Sequence, residues 1–202
     1  MATPVGHYLL GLSVAQLLAK DTVERRRQSL WLAAIACVPD LDVIPGIFVG
    51  NLARFHHGVS HSFFAGAVFA FGGLWILRWL NWKVSSRLFL LLFFLYASHI
   101  LLDLITLDNG SPVGMPMFWP WNLETYQSPW LLLPNVQHTR ASLFSGHNLF
   151  LMAQESLVFF PLLGLMQGLT RWPRPWLAPP VWLYGAWFVG AVSASCFSLY
   201  ER

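Results

Sequence analysis

Charge is what this sequence most lacks. Only 10% of its 202 residues are Asp, Glu, Lys or Arg, where a soluble domain carries about a quarter. The net charge is +3, and the longest basic run is Arg25-Arg26-Arg27. That balance gives nucleic-acid binding no footing, and none is expected. Cysteine is scarce too. Cys37 and Cys196 stand far apart in apolar segments, a pattern that predicts two buried thiols and excludes a disulfide framework or a zinc knuckle. No basic region precedes the first apolar run, so a cleavable signal peptide is not expected. Internal repeats, low-complexity tracts and a Gly-x-Ser-x-Gly nucleophile element are all missing.

What remains is hydrophobic. Apolar residues make up 56% of the chain and aromatics 16%, with 11 Trp, which suits rings at membrane–water interfaces. The expectation is one membrane-embedded all-α domain over residues 1–202, a bundle of about five to six hydrophobic helices. The first apolar stretch runs from Thr3 to Ala19, with Thr3-Pro4 as cap and first-turn proline. A second, of about 17 residues, spans Thr22 to Val38 and ends at Pro39. Ser62 to Leu80, Leu88 to Ile105, Asn148 to Gly168 and Val181 to Leu199 follow. Between Thr106 and Gly146 lie five of the 13 prolines, with Trp119, Trp121 and Trp130. This stretch reads as a partly ordered loop at the membrane surface.

If all six segments cross, basic residues divide nine to three. Lys20, Arg25, Arg26, Arg27, Arg78, Lys83, Arg87, Arg171 and Arg174 fall on one side, and Arg54, Arg140 and Arg202 on the other. The richer side is expected to be cytoplasmic.

Against this background the polar residues stand out. Three of the seven histidines lie within Phe55-His56-His57-Gly58-Val59-Ser60-His61-Ser62. Asp40 and Asp42 flank Leu41 just after Pro39. His99 and Asp103 are four apart in an apolar helix, so they share a face. A carboxylate there costs roughly 2.5–3.5 kcal/mol on insertion scales and calls for a partner. His7, Asp40, Asp42, His56, His61, His99 and Asp103 all fall toward the side poor in basic residues. At a rise of about 1.5 Å per residue, His61, His99 and Asp103 also reach similar depth. The mixed imidazole and carboxylate set predicts a divalent transition metal, with zinc first and manganese or iron as alternatives. Seven ligands exceed one tetrahedral ion, so one to two ions are expected. Paired ions are a common device against phosphoesters. Asp40 or Asp42 is the candidate for proton transfer. His57, His138 and His147 carry less signal, and Glu155 reads either as facing the site or as a helix–helix hydrogen bond.

The same residues carry a resemblance. His7, Pro39–Asp42, His56–Ser62, Ser98–Asp103, Gly110 and Trp119-Pro120, all within residues 1–121, resemble the motif series of the YdjM-like family. These are bacterial inner-membrane proteins described as metal-dependent hydrolases. The family is itself distantly similar to zinc phospholipases C and single-strand nucleases, which are all-α and bind several zinc ions. Those use a His-x-x-x-Asp pair, matched by His99 and Asp103. They also use a His-x-x-x-Glu pair, from which this chain departs: Leu151 follows His147, and Glu155 lies eight residues on. The resemblance implies a multi-pass inner-membrane hydrolase acting on a lipid or lipid-linked phosphoester near the outer face. Rival readings are a metal transporter and a non-catalytic membrane scaffold.

Overall fold

The computed structural model describes residues 1–18, 23–51, 54–137, 142, 144–171 and 179–200. Among them the fold is all-α, as expected. Seven α-helices are present: α1 (Pro4–Leu18), α2 (Val23–Ala33), α3 (Ile44–Phe48), α4 (Phe63–Trp79), α5 (Ser86–Leu104), α6 (Gly146–Arg171) and α7 (Pro179–Tyr200). Local signals set the starts. The Thr3 hydroxyl accepts from the Val5 and Gly6 amides at the head of α1. Ser62 caps α4 through the Ala65 amide, and Ser85 caps α5 through that of Leu88.

The second apolar segment is not one straight helix. After Ala33 the chain tightens into 3-10 turns, Ala34–Cys37 and Pro39–Val43. The axes on either side of the break differ by 45°. Pro39, which has no N–H to donate, sits buried at the bend. By length and composition, α5 and the Gly146–Thr170 part of α6 can each cross a membrane, and the bent pair makes a third if it counts as one span. The expected five to six spans therefore reduce to two or three among the described residues. The helices α1, with 15 residues, and α4, with 17, are short for a crossing. The outer faces nevertheless suit lipid. Phe71, Trp75 and Trp79 on α4 are 72%, 69% and 74% exposed, and Phe94, Phe160 and Leu183 also point outward. Cys37 and Cys196 are unpaired, as expected, but half-buried rather than buried.

At the centre lies α1, packed against α6, α5, α2 and the Ala34–Cys37 turn. Its approach to that turn leaves no room at Gly11, where an added Cβ would lie 2.6 Å from that of Ala36. The 106–137 stretch is more ordered than a surface loop. Met115, Met117, Leu133 and Val136 are buried, Leu107 N–H donates to Leu133, and Phe63 N–H donates to Met117.

Glu155 resolves one of the open alternatives. From α6 it enters the head of α1, where its carboxylate accepts the Thr3 amide at 2.7 Å, the Gly6 amide at 3.0 Å and the Thr3 hydroxyl. The bare N-terminal amides of a helix favour an anion. A Cβ at Gly6 would come within 2.7 Å of Glu155 Oε2. Removing the acceptor strands the buried Thr3 amide and hydroxyl, each worth about 1–3 kcal/mol when unpaired, and leaves the Gly6 amide only its longer bond to the Thr3 hydroxyl. Glu155→Ala should therefore lower the melting temperature in mild detergent sharply, and Glu155→Gln, which keeps one acceptor oxygen, should lower it less. Equal melting of both variants with wild type would show that this clamp contributes nothing.

Candidate metal centre

Four segments meet at one end of the bundle. His7 comes from the second turn of α1. Asp40 and Asp42 come from the 3-10 turn after Pro39. The His56–His61 loop precedes α4, and His99 with Asp103 lies on the last turns of α5. Tyr96, one turn before His99, donates to the Ser60 carbonyl at 2.6 Å and so ties the loop to α5. All seven residues read from the sequence as ligands are brought together. His7, His61 and His99 are 0% exposed and Asp103 is 2%.

Four of the five imidazoles share one arrangement: Nδ1 of His56, His57, His61 and His99 meets an acceptor on the outside, and Nε2 turns inward. His99 Nδ1 donates to the Ala36 carbonyl at 2.7 Å. His56 Nδ1 lies 2.7 Å from Asp42 Oδ1. His61 Nδ1 lies 3.1 Å from the Ser60 hydroxyl oxygen and 3.1 Å from Asp42 Oδ2. His57 Nδ1 pairs with Asp108 Oδ2 at 3.2 Å. A ring whose Nδ1 carries the proton keeps a bare Nε2 lone pair, the form that binds metals.

The inward atoms crowd together. His61 Nε2 and His99 Nε2 are 3.1 Å apart. Asp103 Oδ2 lies 3.1 Å from His99 Nε2, 3.7 Å from His61 Nε2 and 3.9 Å from His57 Nε2. Asp40 Oδ1 is 3.4 Å from His99, 3.7 Å from His61 and 3.9 Å from His56. The His7 ring stacks on that of His99 at 3.7 Å, with Nε2 3.3 Å from Asp103 Oδ1. Both His7 nitrogens, Asp40 Oδ1, His57 Nε2 and Asp103 Oδ2 are buried without a hydrogen bond. So many electron-rich atoms without donors are costly unless a cation gathers them. They fall into two groups whose ligand atoms lie within 4.8 Å of one another: His7, Asp40, His99 and Asp103, and His56, His57 and His61. The donor set fits one or two divalent transition metals.

Asp42 stands apart from Asp40. One of its oxygens meets His56, and the other receives the Ser60 hydroxyl at 2.7 Å and faces His61. It braces two imidazoles from behind. Asp108 does the same for His57, although in the sequence it stands only in an Asp-Asn-Gly turn signal with nothing to mark it as an imidazole partner. Its Oδ1 accepts the Gly110 amide and its Oδ2 the Gly114 amide, both at 2.8 Å. Burial alone would raise the Asp108 pKa, but His57 and these two amides outweigh it and hold the carboxyl below the usual range. Burial likewise lowers the His57 pKa. At His61 burial also disfavours the charge, yet the Asp40 and Asp42 carboxylates outweigh it and raise the pKa. His57 adopts φ 61, which turns its ring into the centre. His147 faces elsewhere and donates to the Asn135 carbonyl at 3.0 Å. His138 lies outside the described residues, as do Lys20, Arg140, Arg174 and Arg202.

Loss of a carboxylate that orients metal-binding histidines typically weakens metal affinity 10–100-fold. Asp42→Ala should therefore weaken zinc affinity by about that factor in competition with a chromophoric chelator, while the chain stays folded in detergent. Unchanged affinity would remove Asp42 from the support of the site.

No curated protein and no solved structure matches this chain. A family does, over residues 1–174, and that match takes in the whole His/Asp constellation and six of the seven helices. The chain belongs to the YdjM inner membrane protein family.

Proposed function

We propose that this chain is a membrane-bound metal-dependent hydrolase acting on a phosphoester of a lipid or lipid-linked substrate. The observation that carries the reading is the inward convergence of imidazole Nε2 atoms on two carboxylate oxygens, Asp40 Oδ1 and Asp103 Oδ2, that have no hydrogen bond. A purely structural cluster would pair those carboxylates with donors. Here the donors are spent outward, on the Ala36 carbonyl, Ser60, Asp42 and Asp108.

A divalent ion held by this set acidifies water and screens the charge of a phosphoryl group. His7, Asp40, His99 and Asp103 would hold one such ion, and His56, His57 and His61 a second. Proton transfer falls to whichever of Asp40 and Asp42 is not held as a ligand: Asp40 Oδ1 makes no hydrogen bond and stands in the first group, while both Asp42 oxygens are engaged by His56 and Ser60. Zinc is the first candidate, with manganese and iron behind it.

Two features favour a lipid substrate at the outer face. The ligands gather near the C-terminal end of α5, away from the basic residues Arg78, Lys83 and Arg87 at its start, and the positive-inside rule assigns that basic end to the cytoplasm. Exposed Trp121, Trp130 and Phe118 surround the loops on the ligand side, where aromatic rings meet lipid head groups.

Elemental analysis of protein purified in mild detergent tests the reading. Wild type should carry one or more equivalents of transition metal, and His61→Ala and Asp103→Ala should lose it while remaining folded. Wild type that stays metal-free after exposure to zinc and manganese would end the hydrolase reading in favour of a scaffold. Cleavage of soluble phosphoesters but of no lipid would remove the lipid part alone. Ion flux in liposomes abolished by Asp103→Ala would instead support a transporter.

A further inference from the structure

From Val43 to Gly50 the chain carries no polar side chain, yet this stretch is not core. It forms α3 and the turn after it, and the main packing partner of α3 is the Pro39–Val43 turn that leads into it. Ile44, Ile47, Phe48 and Val49 point away from the protein, with Phe48 85% exposed, and within α3 only Gly46 is buried. Leu41, Phe55 and Val59 extend this apolar surface at its base. The polar side chains of the same segment turn the other way. Asp42, His56, Ser60 and His61 face one another in the metal centre. Polar inside and apolar outside is the pattern of a segment whose surroundings are not water.

The backbone suits such surroundings. Beyond α3 the Gly50 N–H donates to the Ile47 carbonyl at 3.4 Å and the Asn51 N–H to the Gly46 carbonyl at 2.9 Å. Gly50 reverses the chain at φ +76, and Pro45 has no N–H to satisfy. A tip that closes its own hydrogen bonds can leave water without stranding these groups.

Two observations choose lipid over a protein partner. The first is continuity. Before the bend at Pro39, Leu30 and Trp31 are exposed on the same bent span, and beyond Val59 the exposed Val68 and Phe71 follow on α4. The apolar tip thus joins two outward-facing apolar surfaces of a membrane protein. The second is charge. Between Leu41 and Val59 the only charged residues are Asp42, which faces the centre, and Arg54, which is exposed. The Arg54 guanidinium lies over the Phe55 ring at 5.6 Å from its centroid. An apolar tip with one cation at its base matches acyl chains beneath a layer of phosphates.

We propose that the 41–59 segment is an apolar lip seated among the acyl chains of the leaflet on the ligand side, with Arg54 at the lipid phosphates, and that it carries the metal centre at head-group depth. The seating rests on the surface of the lip and on the membrane family. Its consequence for the reaction rests on the hydrolase reading.

Nitroxide labels at Phe48→Cys and, in a second variant, Val49→Cys test the seating. The full chain, with Cys37→Ala and Cys196→Ala, is reconstituted in phospholipid nanodiscs. Both labels should be relaxed by oxygen and protected from an aqueous nickel chelate, the reverse of a label at Lys83→Cys in the polar turn between α4 and α5. Chelate access equal to that at Lys83 would place the segment in water and overturn the proposal. Protection from both reagents would mean that a second copy or another protein covers it, and would overturn it too. Phe48→Asp should slow cleavage of a phospholipid in nanodiscs about tenfold, the scale of seating one Phe in an apolar phase. Cleavage of a soluble phosphoester should stay as in wild type. Unchanged lipid cleavage would overturn the link between lip and site. The labels need no catalysis, so a chain that cleaves nothing loses the hydrolase reading and is still judged on the lip. Labels in water beside intact lipid cleavage would do the reverse.

Discussion

One carboxylate in an apolar helix organises this molecule. Asp103 is 2% exposed near the end of α5, where an unpaired charge is expensive. The chain answers by bringing groups to it from two other segments and from its own helix. The Ala2 amide donates to Oδ1 at 3.0 Å, His7 approaches the same oxygen, and His57, His61 and His99 approach the other. Only the Ala2 amide is a fixed donor. An imidazole whose Nδ1 proton is committed outward can turn a lone pair inward at Nε2, and a cation among such rings would compensate the burial of Asp103. Packing and metal chemistry are here one constraint.

That constraint reaches well beyond the site. Glu155 grips the head of α1 through Thr3 and Gly6. The same short stretch delivers the Ala2 amide to Asp103 and, one turn on, His7 to His99. The helix α6 therefore positions the centre without touching it. On the opposite side, the Ala34–Cys37 turn gives His99 its carbonyl acceptor, and Gly11 allows α1 to close on that turn. Two helix packings thus end on one imidazole, His7 on its face and the Ala36 carbonyl at its Nδ1.

Much of this was legible in the sequence, because polar residues are conspicuous against apolar runs. The i, i+4 spacing of His99 and Asp103, the depth count linking them to His61, and the clustering of His56–His61 were enough to gather the ligand set. Helix starts were legible where a Ser or Thr caps them, at Thr3 and Ser62. What stayed hidden depends on the third dimension. Asp40 and Asp42 look equivalent in an extended segment, but a 3-10 turn sends one to the centre and the other behind two imidazoles. Asp108 reads as a turn former, and it is one, yet its second oxygen faces His57 only because the chain folds back across some fifty residues. The count of crossings was overread because hydropathy registers apolar segments. It does not register that Pro39 bends one of them or that α1 and α4 stop short.

The split between inner and outer atoms bears on why the histidines cluster in sequence. His56, His57 and His61 come from one short loop, and a loop alone orients imidazoles poorly. Each is therefore given its own brace: Asp42 for His56, Ser60 with Asp42 for His61, and Asp108 for His57. His99, on a regular helix, needs only a backbone carbonyl. The number of braces scales with the irregularity of the backbone that carries the ligand, as expected if the geometry of the Nε2 atoms is what must be held. A cluster that merely packed helices would not require a separate acceptor behind each ring.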